Sequence, residues 1–425
     1  MGYNQELLFT PEGVRDTYGE ECARKLAVRE NIHKIMRMYG FKDIETPSFE
    51  FFDIFNRERG TVASKEMYKF FDRNNNTLVL RPDITPSIAR CVAKYYKDEE
   101  LQIRLCYVGN TFINNSSYQG RLKEICQVGA ELMNDSTSDA DGEIIALTIE
   151  CLQKAGLKEF QIGIGHADFF QGLVEEAGLS EEETKQLKYL LENKNMFGIE
   201  QLLSGKNISK DLKELFIKLP EFFGGTDHFS FIRSKIKNER ALKAVERLEN
   251  LFEILDTYGL SDYATIDLGL LNHYNYYTGI IFKAYTYGTG EAIATGGRYD
   301  KLIEQFGKKA SAVGVAIVLD QLMLALTRQN IPVELSGKES FILYRSANRK
   351  TAILLANFFR EEGKSVFLMR KEAERDIAQY KEYGQKNGAG NIFYIESEDV
   401  IHVIDFMHQS DKIKSIADIM MKSID

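Results

Sequence analysis

Apolar residues recur at helical spacing between positions 20 and 39 (Leu26, Ile32, Ile35, Met36, Tyr39), and the run stops at Gly40, a common helix terminator. The next stretch, F-K-D-I-E-T-P-S-F-E, reads as a strand closed by Pro47. Residues 67–72 and 77–80 pattern as a strand pair around the polar turn 73–76. A helix is predicted from about 86 to 96, with Pro86 in its first turn. A β-rich run at 105–112 then enters a polar loop at 114–120, and a second run returns through Cys126 and Val128. A helix over 139–155 and a strand at 160–164 follow.

The pattern changes between 176 and 255, where the chain becomes charged and amphipathic. It opens with a capping-box pair, Ser180 and Glu183, and is read as a helical insertion. β character resumes at 266–271 and 280–285, before the glycine pair Gly296-Gly297 and a predicted helix near 315–328. After Pro332 strands at 340–344, 365–369, 391–395 and 400–406 alternate with helices at 350–362 and 372–387 and a final helix, which describes a small α/β domain. The expected division is a core over 1–330, with its insertion at about 176–255, and a C-terminal domain over 336–425. A length of 425 residues agrees with more than one domain.

Composition narrows the class. The chain is 44% hydrophobic and 28% charged with six prolines, ordinary for a globular protein. No apolar run approaches the roughly 18 residues of a membrane helix, and M-G-Y-N-Q-E-L-L-F-T-P lacks the regions of a signal peptide. Five cysteines (Cys22, Cys91, Cys106, Cys126, Cys151) show no C-x-x-C pairing, and four sit in apolar surroundings, so reduced thiols and a cytoplasmic location are expected. His166 and His273 have no cysteine or second histidine at ligand spacing, so no metal is expected, nor any cofactor. A net charge of −9 provides no overall electrostatic footprint for nucleic acid.

Several segments, in order, carry a resemblance. They are T-P-E-G-V-R-D (10–16), G-F-K-D-I-E-T-P (40–47), K-E-M-Y-K-F-F-D-R (65–73), L-R-P-D-I-T (80–85) and the hairpin 104–131. Y-Y-T-G (276–279), G-G-R-Y-D (296–300) and A-V-G-V-A-I (312–317) complete the set. Together they resemble the class II aminoacyl-tRNA synthetase core, specifically its histidyl branch. The resemblance implies an α+β fold: an antiparallel sheet core with helices, a helical insertion, and a C-terminal α/β anticodon-binding-like domain. Three departures bear on function. The family's hairpin arginine is Ile113 here, its second catalytic arginine is Asn272, and its final Glu-Arg is Asp320-Gln321. Losing one preorganised donor of this kind costs roughly 2.7–4 kcal/mol of transition-state stabilisation.

The amino-acid pocket is better kept. By resemblance, Asp83, Thr85 and Gln127 bind the ammonium of histidine, and Glu131 and Tyr276 hold the imidazole with Tyr277 alongside. Arg121, at the hairpin's second basic position, would face a carboxylate or phosphate. The chain is similar to the synthetase paralogues that act as regulatory subunits of ATP phosphoribosyltransferase. It shares with them L-R-P-D-I-T and G-H-A-D-F-F-Q-G-L (165–173). That family implies no ligase activity, feedback by L-histidine, a short catalytic partner chain, and a homodimer through 40–47 within a hetero-octamer. Neither tRNA nor membrane is an expected partner. An active histidyl-tRNA synthetase and a tRNA-binding paralogue remain the alternatives.

Plainer roles exist for the same residues. Asp83 could cap the following helix. Gln127 and Glu131 share one strand face, which could be solvated. Tyr276 and Tyr277, being adjacent, are expected to point to opposite sides, one of them into the core. Arg121 could only position its loop. Gly296, Gly297 and Arg298 are expected to serve backbone passage more than phosphate contact.

Overall fold

A computed structural model describes residues 8–55, 62–115, 121–206, 208–270, 276–335 and 337–421. The chain divides into two compact units, Met1–Val333 and Glu334–Asp425. The first unit contains strands β1 (Lys42–Asp43), β2 (Phe49–Phe51), β3 (Lys69–Phe71), β4 (Thr77–Leu80), β5 (Ile103–Phe112) and β6 (Glu124–Met133). It continues with β7 (Gln161–His166), β8 (Phe223–Gly224), β9 (Ala264–Asp267), β10 (Ile280–Tyr285), β11 (Ala294–Arg298) and β12 (Ala312–Val318). Among the described residues nine of these form one sheet, in the order β1-β5-β6-β12-β11-β10-β7-β9-β8, and β2-β4-β3 form a small second sheet. Pairing in the large sheet is antiparallel except for β1 with β5 and β7 with β9.

The sheet separates two apolar clusters, and strand periodicity decides which residue enters which. On β6, Cys126, Val128, Ala130 and Leu132 join the larger core with the helices Gly19–Met38 and Ser138–Lys154. Met133 joins the smaller cluster, with Leu105, Tyr107, Tyr276 and Tyr299. On β12, Val313, Val315 and Ile317 enter the larger core while Ala312 joins the smaller one. Successive side chains of a strand point to opposite faces, so Gln127, Gly129 and Glu131 share the face of the smaller cluster.

The segment predicted as a helix near 315–328 begins as strand; the helix proper is Leu319–Arg328. A-V-G-V-A-I is apolar on both faces because β12 lies mid-sheet between β6 and β11, and such a run does not distinguish strand from helix. Helices between Ala167 and Thr257 cover the region read as an insertion, interrupted by β8, which pairs with β9. The Ser180–Glu183 capping box forms as its spacing predicts.

The second unit carries β13 (Ser340–Tyr344), β14 (Val366–Arg370), β15 (Asn391–Ile395), β16 (Val400–Asp405) and β17 (Ser410–Ser415), in the order β14-β13-β15-β16-β17. Helices Arg349–Glu361, Ile377–Lys386 and Ile416–Met421 accompany this sheet, with apolar clusters around Ile342 and around Phe341. No helix among the described residues is long and apolar enough to cross a membrane.

Candidate functional site

A cavity of about 270 Å³ opens on the face of the sheet that carries Gln127 and Glu131. Asp83, Thr85, Gln127, Glu131, Tyr276 and Tyr277 all line it. Asp83 and Thr85 arrive from the start of the helix Thr85–Tyr95, and Gln127 and Glu131 from β6. The two tyrosines come from the turn before β10. Sheet register completes the floor: Gly314 of β12 stands opposite Glu131, and a Cβ there would lie 1.6 Å from Glu131 Oε2. Gly129 plays the same part for Tyr107, whose ring would lie 2.3 Å from an added Cβ.

Glu131 is the centre of the buried network. Its Oε1 accepts from the Thr85 hydroxyl at 2.7 Å and its Oε2 from the Tyr299 hydroxyl at 2.5 Å. The carboxyl is 1% exposed, and burial pushes its pKa up to about 8 against the opposing pull of those two hydrogen bonds. One Asp83 oxygen accepts from the backbone N–H of Ile84 at 2.7 Å and of Thr85 at 3.3 Å. The helix N-cap is Ile84, without a side-chain cap, so Asp83 braces the helix start from one residue before it and does not take the capping role expected from the sequence. Its other oxygen accepts from the Tyr276 hydroxyl at 3.1 Å, so it serves the helix and the cavity together. Gln127 Oε1 is buried without a hydrogen-bond partner among the described residues, an acceptor available to a ligand donor.

Tyr276 and Tyr277 do not point to opposite sides. Their rings meet edge to face with centroids 5.0 Å apart, and both border the cavity. Strand alternation does not apply, because these residues precede β10. Tyr299 went unassigned in the sequence reading although it belongs to G-G-R-Y-D. Its 168-residue separation from Glu131 is bridged only by the sheet, and the motif itself was the available signal.

The described positions at which the resemblance expects phosphate-binding cations carry neutral or internally paired groups. Ile113 lines the cavity. Asp320 accepts from Lys25 Nζ at 2.5 Å and from the Cys126 backbone N–H at 2.8 Å. Arg121 is not among the lining residues; its Nε pairs with Glu291 at 2.7 Å, and Gln321 donates to the same carboxylate at 3.2 Å. Asn272 and His273 lie outside the described residues. The described lining residues thus include three carboxylates (Glu66, Asp83, Glu131) and no lysine or arginine. Arg298 is turned away to the buried Asp141, with Nε donating at 2.8 Å.

One metal-type grouping occurs among the described residues: His33, Asp43 and Cys106, with ligand atoms within 4.8 Å of one another. Arg37 already pairs with Asp43 at 2.9 Å, and burial pushes the Cys106 thiol up to about 12. Both features disfavour a cation there.

Residues 13–322 match the family model described as histidyl-tRNA synthetase. ATP phosphoribosyltransferase regulatory subunits from Acetivibrio thermocellus and Ruminiclostridium cellulolyticum are each 40% identical. The first aligns over 93% of this chain and 94% of the relative, the second over 94% of each. A crystal structure of an ATP phosphoribosyltransferase regulatory subunit/histidyl-tRNA synthetase from Bacillus halodurans superposes with TM-score 0.81 at 31% identity. It covers 91% of this chain and 98% of that one. With the synthetase-like sheet around the cavity, these similarities show that the chain belongs to the ATP phosphoribosyltransferase regulatory subunit family, built on the class II histidyl-tRNA synthetase fold.

Proposed function

We propose that this chain is a regulatory subunit of ATP phosphoribosyltransferase that binds L-histidine in the 270 Å³ cavity and performs no aminoacyl-tRNA ligation. The charge of the cavity carries this reading: its described lining holds the carboxylates of Asp83 and Glu66, the buried Glu131 carboxyl whose pKa is raised to about 8, and no lysine or arginine. Such a lining attracts an ammonium and repels a polyphosphate, and it lacks the preorganised cations that adenylate chemistry requires. In this reading Asp83 and the open Gln127 oxygen take the ammonium. Glu131, Tyr276 and Tyr277 surround the imidazole, and Thr85 and Tyr299 hold Glu131 in place. Arg121 would act only as an outer charge, since Glu291 already pairs with it.

The partner in this reading is a short catalytic chain, with this protein dimerising through 40–47 inside a cytoplasmic hetero-octamer. Residues 336–425 form an anticodon-binding-like domain that no longer serves tRNA. Feedback requires histidine to favour one state of the complex, by a differential typically of about 1–3 kcal/mol. Three measurements on the full chain test the proposal: histidine-dependent pyrophosphate exchange, histidine calorimetry, and activity of a short catalytic subunit with and without this chain. The expected outcome is no exchange, saturable histidine binding, and catalytic activity that needs this chain and falls with histidine. Robust exchange would establish a synthetase instead. A tRNA gel shift without any effect on the catalytic subunit would establish a tRNA-binding paralogue.

A further inference from the structure

Tyr277 also borders a second cavity, of about 350 Å³, whose charge is opposite to that of the first. Its lining includes His166, Asp168, Lys188, Arg240 and Lys301. His166 and Asp168 belong to the 165–173 segment singled out in the sequence and otherwise without a role. Three cations therefore face one carboxylate. Arg240 is occupied, pairing with Asp168 at 2.5 Å and Glu175 at 2.6 Å. Lys188 and Lys301 have no ion pair within 4 Å among the described residues, although Glu192, one turn along the helix, acts on Lys188 through its charge. The Lys188 ammonium stands 5.6 Å from the Phe170 ring centroid, and burial holds its pKa below the ordinary lysine range.

His166 adds a directional donor. It is 8% exposed, and its Nδ1 accepts from the Asp168 backbone N–H at 3.2 Å. The ring proton therefore sits on Nε2, which has no partner among the described residues. Burial lowers the pKa of this imidazole to about 4, so it is a neutral N–H donor at neutral pH. Two ammonium groups and an imidazole N–H suit a compact anion with several oxygens. The planar fork that would match a carboxylate, that of Arg240, is already taken.

We propose that this cavity binds the phosphate group of a small phosphorylated molecule, held by Lys188, Lys301 and the Nε2–H of His166. The site depends on its own charges and not on histidine occupying the neighbouring cavity, so failure of the histidine reading leaves it standing. Because Tyr277 borders both cavities, occupancy of one has a direct route to influence the other, and any such coupling must be reciprocal.

The test is titration of the full chain with inorganic phosphate and pyrophosphate at low ionic strength, followed by calorimetry and phosphorus NMR. A sugar phosphate, the same sugar unphosphorylated, a dicarboxylate and an RNA oligonucleotide form the comparison arms. Saturable binding of the phosphate-bearing probes at one site per chain is expected. Lys301→Glu, at an exposed position where folding is not at stake, should weaken binding at least about tenfold, the scale of one charge-assisted contact. His166→Gln should weaken it as well, whereas Lys412→Glu, an exposed site in the other unit, should not. The proposal fails if neither phosphate nor pyrophosphate saturates at millimolar concentration, or if Lys301→Glu binds like the parent. It fails equally if Lys412→Glu has the same effect as Lys301→Glu, if the dicarboxylate binds as well as the phosphates, or if only RNA binds.

Discussion

Gly314→Ala is the most informative single change to the site, because its effect runs through one neighbouring carboxylate. The added Cβ would lie 1.6 Å from Glu131 Oε2 and 2.5 Å from Cδ, with the Ala130 carbonyl oxygen at 2.9 Å. Neither backbone can yield easily, since the two residues face each other in a ladder running from Ala312 to Val318. The carboxyl must swing away, abandoning the buried hydroxyls of Thr85 and Tyr299. Each of the two buried donors left without a partner costs about 1–3 kcal/mol, and overpacking adds about 1–3 kcal/mol, so a loss of roughly 3–9 kcal/mol is expected. That is a large share of a stability of about 5–15 kcal/mol. Urea denaturation followed by circular dichroism measures it, in a double-mutant cycle with Glu131→Ala. Without the carboxylate the nearest contact left to the Cβ is the Ala130 carbonyl oxygen at 2.9 Å, so Gly314→Ala should cost at least about 1 kcal/mol less in that background. Additive costs within about 0.5 kcal/mol would refute the steric coupling. Calorimetry on Gly314→Ala should also show histidine binding lost; parental affinity would remove Glu131 from the ligand site.

Two further perturbations probe the buried charges. The Glu131 pKa is raised from 4.5 to about 8, so its contribution to stability is full below pH 4.5 and is lost as pH rises through 8. Glu131→Gln should therefore lose less stability than the parent across that interval, and parallel urea midpoints would show that another group titrates. Asp141→Ala removes a carboxylate that is 0% exposed, takes a partner from Arg247, and leaves Arg298, 3% exposed, with only the more exposed Asp300 at 3.2 Å as counter-ion. Breaking such a pair costs about 3–5 kcal/mol, and a measured loss below about 1 kcal/mol would show that Arg298 finds compensation elsewhere.

The hairpin was legible because its strands are long and their apolar positions alternate between two faces. Gln127 and Glu131 could be placed on one side of the sheet from spacing alone. What escaped the sequence depends on contacts between distant segments. Tyr299 reaches Glu131 only because β11 and β12 bring it across the sheet, and the necessity of Gly314 appears only in the register with β6. The two tyrosines were misread by applying strand geometry to a turn. The strand Ser410–Ser415 was missed for a different reason. S-D-K-I-K-S has few apolar residues because it forms a sheet edge, where lysines such as Lys412 and Lys414 discourage further pairing.

Within the first cavity, the chemistry follows from how few groups carry charge near neutral pH. A carboxyl with a pKa of about 8 is largely protonated at pH 7, so Glu131 is better suited to hydrogen bonding than to fixed repulsion. Asp83 and Glu66 then supply the standing negative charge of the described lining. A phosphate oxygen brought to 4 Å from one such carboxylate would meet a repulsion of roughly 4 kcal/mol at an effective dielectric constant near 20. The cations that offset this cost in a synthetase are replaced here by Ile113 and by Gln321, whose amide is directed to Glu291. An ammonium at the same distance gains by the same Coulombic rule. The sheet and its two faces can thus remain those of a synthetase while the described lining of one face carries negative charge.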